Sequence, residues 1–242
     1  KAISTDHFQR FIVPDNGAVD WKKTALAFWR FGPESPASDL GALWQLLPAD
    51  TRVPDHTIWN HLDLTSAFAS AFAGDPAHNP ALLAMSFGPV QDFIAQARTT
   101  SDLWAGSHLL SRLAGEGLKV ICAQLGPDAV IFPKLRGAPQ VDLWLLKEMG
   151  LPEHYFDGAD WLNQQTDANP LFAAALPNKF VAIVPAALGA ELARQVTDTV
   201  RAWVKEKAEA AWLELLGSAG EPDNPTLHAH QQITVQLKNF PE

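Results

Sequence analysis

Over residues 1–78 the apolar positions recur at helical spacing, whereas from Ala81 onward helical stretches alternate with short apolar runs of strand length. Trp21–Phe31 reads as a short helix ended by Gly32-Pro33, and Asp39–Leu47 as another, with Leu40, Leu43, Trp44 and Leu47 on one face. A third helix is predicted from about Thr57 to Phe72, turning Ile58, Leu62, Thr65, Phe68 and Phe72 toward a core. Gly74-Asp75-Pro76 and Asn79-Pro80 then form a turn-rich linker. The domain boundary is placed there, giving a helical segment, 1–78, and a second domain, 79–242.

In the second part, strands are predicted at about Leu82–Phe87, Ala129–Pro133, Lys179–Pro185 and Ile233–Phe240. Helix follows the first strand from Pro89 to Leu125, interrupted near Thr99-Thr100. Val90, Phe93, Ile94 and Ala97 share one face of its first part, and Ser101-Asp102 supplies a cap for the part carrying Leu103, Leu109, Leu110, Leu113 and Leu118. Residues 135–177 hold Gly, Pro, Asn and Asp clusters with isolated aromatics, too long for a plain loop, so an insertion with short helices is expected. A long amphipathic helix spans about Leu188–Leu216, and Gly217–Pro225 is a polar loop. The order predicts an α+β fold: a ferredoxin-like βαββαβ domain with an insertion, preceded by a small helical segment.

Composition narrows the chemistry. The 242 residues are 47% hydrophobic and 19% charged, as in ordinary globular proteins, and no apolar run approaches membrane-spanning length. A net charge of −9 argues against this chain gripping nucleic acid unaided. The single cysteine, Cys122, lies in a helical apolar pattern, reads as a buried small hydrophobe and fits a reducing cytoplasm. It also rules out a cysteine-built structural zinc site. No G-x-S-x-G elbow is present. The chain starts at Lys1 rather than Met, so a cut N-terminus is expected.

Three clusters remain. Strand, glycine turn and helix start together resemble a phosphate cradle, with free amides beyond Gly88-Pro89. Gln91, Asp92 and Phe93 stand at its mouth and Arg98, Ser101 and Asp102 beyond. Ser107 and Ser111, four apart on one helical face, either meet a purine or ribose or bond back to their own helix. Lys134 and Arg136 follow the second strand and, if the hairpin folds back, join Arg98 and Arg112 as a rim for triphosphate or RNA; a solvated surface is the alternative. His56, His61 and Asp63 form an H-x4-H-x-D cluster, but Asp63 falls across the helix from His61, a poor geometry for one metal.

The wording GPVQDFIAQART, SDLWAGSHLLSRL and GPDAVIFPKLRGAP, with LPADTRVPDHTIWNHLDLTSAFA upstream, resembles the large polymerase- and cyclase-like subunit of type III-B (Cmr) CRISPR effector complexes over roughly residues 40–146. The resemblance implies the end of an HD domain followed by the first of two palm domains, which together bind ATP and make cyclic oligoadenylate when target RNA is engaged. It assigns nucleotide contact to the Gly88–Ser111 stretch and a metal ligand to His61, which opens an H-x-x-x-T-x-x-x-A helix with Thr65 and Ala69. It places the metal-holding GGDD hairpin in the second palm; no Gly-Gly and no His-Asp dipeptide occurs here. The expectation is therefore a piece without catalytic residues of its own and inactive alone. It would meet ATP together with a second palm, take most of its divalent metal from elsewhere, and contact other effector subunits, with CRISPR RNA and target RNA indirectly. A ligand-free scaffold and a metal-dependent phosphohydrolase using His56, His61 and Asp63 are the competing readings.

Overall fold

The computed structural model describes residues 2–36, 40–219, 231, 232 and 235, with the side chains of 2 and 215–219 left out. Helix α1 (Ala2–Gln9) leads into a hairpin of β1 (Pro14–Asp15) and β2 (Ala18–Val19), turned by Asn16-Gly17 with φ of 46° and 87°. An Asn-Gly pair tolerates these left-handed angles, which is why it suits a two-residue turn. Helix α2 (Trp21–Phe31) is N-capped by Asp20, whose carboxylate accepts from the Lys23 amide. A 3₁₀ turn follows at Gly41–Leu46, where a helix over 39–47 was expected. It has no buried residue, and Trp44 ties it down, donating from Nε1 to the Gly32 carbonyl and accepting from Trp59 Nε1 at its own carbonyl. Without an apolar face against a core, the turn has nothing to extend it into an α-helix.

Helix α3 (Ile58–Gly74) is N-capped by the Thr57 hydroxyl. Its inward face differs from the periodicity reading. Trp59, Ala67 and Ala71 are buried, while Leu62, Phe68 and Phe72 are exposed. Ala67 and Ala71 pack on Ile183, so the small side chains let the helix close down on the sheet and the large ones are turned outward.

The sheet is formed by β3 (Pro80–Ser86), β4 (Val130–Phe132) and β5 (Lys179–Pro185) in the order β3-β5-β4, every pairing antiparallel. Two strands joined through a helix thus flank a third that lies antiparallel to both. Of the fourth predicted strand, Ile233–Phe240, only Val235 is described, in helical backbone; the rest lies outside the described residues. Ala81, Leu83 and Met85 pair with Val184, Ala182 and Phe180. Alternation puts these on the face covered by α5 (Thr100–Leu125) and α8 (Gly189–Ala219), and leaves α3 on the opposite face. Gly117 lets α5 and α8 meet closely: a Cβ there would stand 3.0 Å from Phe87 Cζ and 3.1 Å from Val196 Cγ1.

Helix α8 ends at Ala219, so helix replaces the first residues of the predicted Gly217–Pro225 loop. Residues 135–177 carry the expected short helices, α6 (Pro139–Lys147) and α7 (Asp160–Asn163), with 3₁₀ turns. Trp144, Phe156 and Trp161 bury this stretch in the same core as Phe11 and Leu26 from the N-terminal segment and Leu118 and Val196 from α5 and α8. No described helix is long and apolar enough to cross a membrane.

Candidate functional site

The polypeptide leaves β3 through a tied turn. The Phe87 amide donates to the Asn178 carbonyl at 2.7 Å and the Asn178 side chain donates back to the Phe87 carbonyl at 2.9 Å. Helix α4 (Val90–Ile94) follows, only five residues long, with Pro89 before it and no side-chain cap. The break near Thr99-Thr100 is present, and the long helix starts anew as α5. Its cap differs from the expected Ser101-Asp102. Thr99 is the N-cap: its hydroxyl accepts from the Asp102 amide, and the Asp102 carboxylate accepts from the Arg98 and Thr99 amides. This capping box occupies the amide end of α5 with the chain's own side chains, so that helix end is no phosphate cradle.

Gly88, Gln91, Asp92, Phe93 and Arg98 all lie exposed on and around α4. Phe93 lays its ring on Gly106, where a Cβ would come within 3.3 Å of Cε1, and so holds α4 against α5. Ser107 donates back to the Leu103 carbonyl at 3.0 Å. Ser111 does not reach the ligand surface expected for it. It is 1% exposed and its hydroxyl accepts the Leu176 amide at 2.9 Å, so it faces the core and the loop before β5, not a ligand.

An aromatic platform absent from the sequence reading stands on the first turns of α5, on the face away from Gly106 and Phe93. Trp104, 49% exposed, stacks on His108 with ring centroids 5.7 Å apart and planes 11° apart. Phe172, from the insertion, meets both rings edge-on at 6.2 Å. Burial first, and Arg112 second, push the His108 pKa below its usual value, leaving the imidazole neutral. The Trp–His spacing of four along a helix was the available sequence signal; the third ring, 64 residues further on, gave none. Stacking surface and exposed Arg98 together suit a flat, anionic ligand such as a nucleotide.

The predicted basic rim does not assemble. Helix α5 runs 26 residues, about 39 Å at 1.5 Å per residue. Arg98 precedes its start, whereas Lys134 and Arg136 stand near the Pro127-Asp128 turn at its end. Lys134 is exposed. Arg136 is not a rim residue: it donates from Nη2 to both Asp63 oxygens at 2.7 and 2.9 Å and from Nε to the Trp29 carbonyl at 2.7 Å. Arg112 pairs with Glu116 at 3.2 Å.

His61 is exposed, with Nδ1 3.5 Å from His56 Nε2, and His56 Nδ1 lies 2.5 Å from Asp55. Asp63 turns away to Arg136. Among the described residues no three His, Cys, Asp or Glu side chains are placed to hold a metal ion, so His56, His61 and Asp63 do not fit one as a set. Cys122 is 3% exposed, and burial pushes its thiol far above the usual range, as for a core hydrophobe.

Comparison with known proteins adds the following. The family model described as CRISPR-associated protein Cmr2, N-terminal, matches residues 82–216, more than half of the chain. A relative from Pyrococcus furiosus, CRISPR system Cmr subunit Cmr2, is 39% identical over 155 residues, covering 64% of this chain and 15% of the relative. Its counterpart from Saccharolobus solfataricus is 35% identical over 103 residues, covering 42% of this chain and 10% of the relative. The chain thus matches only a small part of the length of these relatives. A chain in the cryo-EM structure of the type III-B Cmr-beta bound to cognate target RNA shares the fold, with a TM-score of 0.65 and 20% identity over 88% of this chain and 23% of that one.

Proposed function

This chain belongs to the Cmr2 family, and from that we propose that it works as part of the large subunit of a cytoplasmic type III-B CRISPR effector complex. In this reading it contributes half of a composite ATP site for cyclic oligoadenylate synthesis, as the first palm of a ferredoxin-like pair. It also offers surfaces to other Cmr subunits and, through them, to CRISPR RNA and target RNA. The observation that carries the reading is the exposed platform of Trp104, His108 and Phe172 near the start of α5, inside the stretch matched by the family model. Trp104 would stack on the base, Arg98 would meet phosphate charge, Phe93 would keep α4 seated on α5, and Gly88, Gln91, Asp92 and Ser107 would shape the mouth. The metal and the groups that move protons would come from the second palm. A metal role for His61 would need ligands from outside the described residues.

The direct test is ATP binding by the full-length subunit in its assembled complex. Trp104→Ala should weaken binding about 5- to 150-fold, the range expected from 1–3 kcal/mol of lost stacking. Unchanged affinity would reject the assignment. The chain by itself should make no oligoadenylate from ATP.

An interaction role has its own support. Phe68 and Phe72 on α3, whose rings stack with centroids 6.0 Å apart, are each at least 40% exposed and offer a partner an apolar contact.

A further inference from the structure

A cleft of about 590 Å³ opens between α2, α3 and the end of α5, away from the platform. That volume falls within the range of small-ligand sites. Its walls are aromatic: Trp21, Trp29 and Trp59 line it, and Trp21 is 66% exposed. Its charged groups are Asp63, Asp128, Arg136 and Lys22.

The two cations are already engaged. Arg136 is spent on Asp63 and on the Trp29 carbonyl and lies over the Trp29 ring, 5.1 Å from its centroid. Lys22 donates to the Ala123 carbonyl in the last turn of α5 at 3.2 Å. Asp128 accepts from the Ser66 hydroxyl and its own amide, and no cation among the described residues forms an ion pair with it.

Asp128 stands two residues beyond Gly126, the C-cap of α5, in the 3₁₀ turn Pro127–Ala129. A second carboxylate, Asp63, also lines the cleft and is taken up by Arg136. A carboxylate with no ion-pair partner among the described residues, set in an aromatic cleft, marks a candidate binding site. The group that would pair with it is a cation able to lie on an indole face.

We propose that this cleft binds a guanidinium or primary ammonium group carried on an apolar stem, with Asp128 as counter-ion and the Trp21 and Trp29 rings as walls. Either a free amine or an arginine side chain of another protein presents that chemistry. The site is independent of the nucleotide reading.

The test is calorimetric titration of the full-length subunit with agmatine, with the peptide acetyl-Leu-Arg-Leu-amide, and with its citrulline counterpart, which keeps the shape and loses the charge. Binding of either cationic probe, at least about tenfold weaker for citrulline and for Asp128→Asn or Trp21→Ala, supports the site. Agmatine binding more tightly than the peptide points to a free amine, and the reverse to a protein side chain. Circular dichroism of each variant shows that its fold is intact. No binding of either cation up to about 10 mM, or equal binding to wild type and Asp128→Asn, overturns the proposal.

Discussion

Arg30 and Asp142, 112 residues apart, close on each other inside the core: Nε donates to Oδ1 at 2.6 Å and Nη2 to Oδ2 at 2.9 Å. Arg30 is 8% exposed and Asp142 4%, and Glu34 adds a contact to Nη1 at 2.7 Å. The pair joins the N-terminal helical segment to the insertion. Removing Asp142 leaves the buried Arg30 with only the half-exposed Glu34 as counter-charge, so Asp142→Ala should lower stability in chemical denaturation, toward the lower end of about 3–5 kcal/mol. The double change Arg30→Met with Asp142→Leu should recover most of that, because a buried pair contributes little net once both charges are gone. Equal losses in the single and double variants would contradict this account of the pair.

Ser111 provides a second check, since its hydroxyl is the acceptor for the buried Leu176 amide. Ser111→Ala strands that donor and should cost about 1–3 kcal/mol, with ATP affinity of the assembled subunit unchanged. Loss of affinity without loss of stability would return Ser111 to the ligand surface.

Asp128 makes stability depend on pH in a stated direction. Burial, the largest cause, pushes its carboxyl above the ordinary 3.8. The folded chain therefore binds more protons than the unfolded one at the pH values between the two pKa values, and this residue's contribution to stability falls as pH rises through that window. Asp128→Asn, which cannot ionise, should raise Tm at pH 7, and the gain should shrink toward pH 4. A gain that persists below the ordinary carboxyl value, or a lower Tm at pH 7, would contradict this.

Much of the order of elements was legible along the chain, but which side chains end up outside was not. Trp21–Phe31 and Lys179–Pro185 fold within their predicted bounds because turn and cap residues punctuate both: Asp20 and Gly32 around the helix, Asn178 before the strand. The α3 face was misread because hydrophobic size suggested Phe68 and Phe72, whereas close approach to Ile183 selects Ala67 and Ala71. Arg136 read as a surface cation because Asp63, its partner, lies 73 residues earlier. The platform of Trp104, His108 and Phe172 depends on the same kind of long-range meeting, which periodicity does not carry.

The central claim is that the surface around α4 and the first turns of α5 faces ATP in the assembled subunit. It is tested most directly by irradiating the full complex with 8-azido-ATP and mapping the labelled peptides by mass spectrometry. The account predicts labelling within residues 88–112, competed by ATP and lost in the Trp104→Ala variant. Labelling confined to other parts of the subunit, with this stretch unmodified, would contradict it.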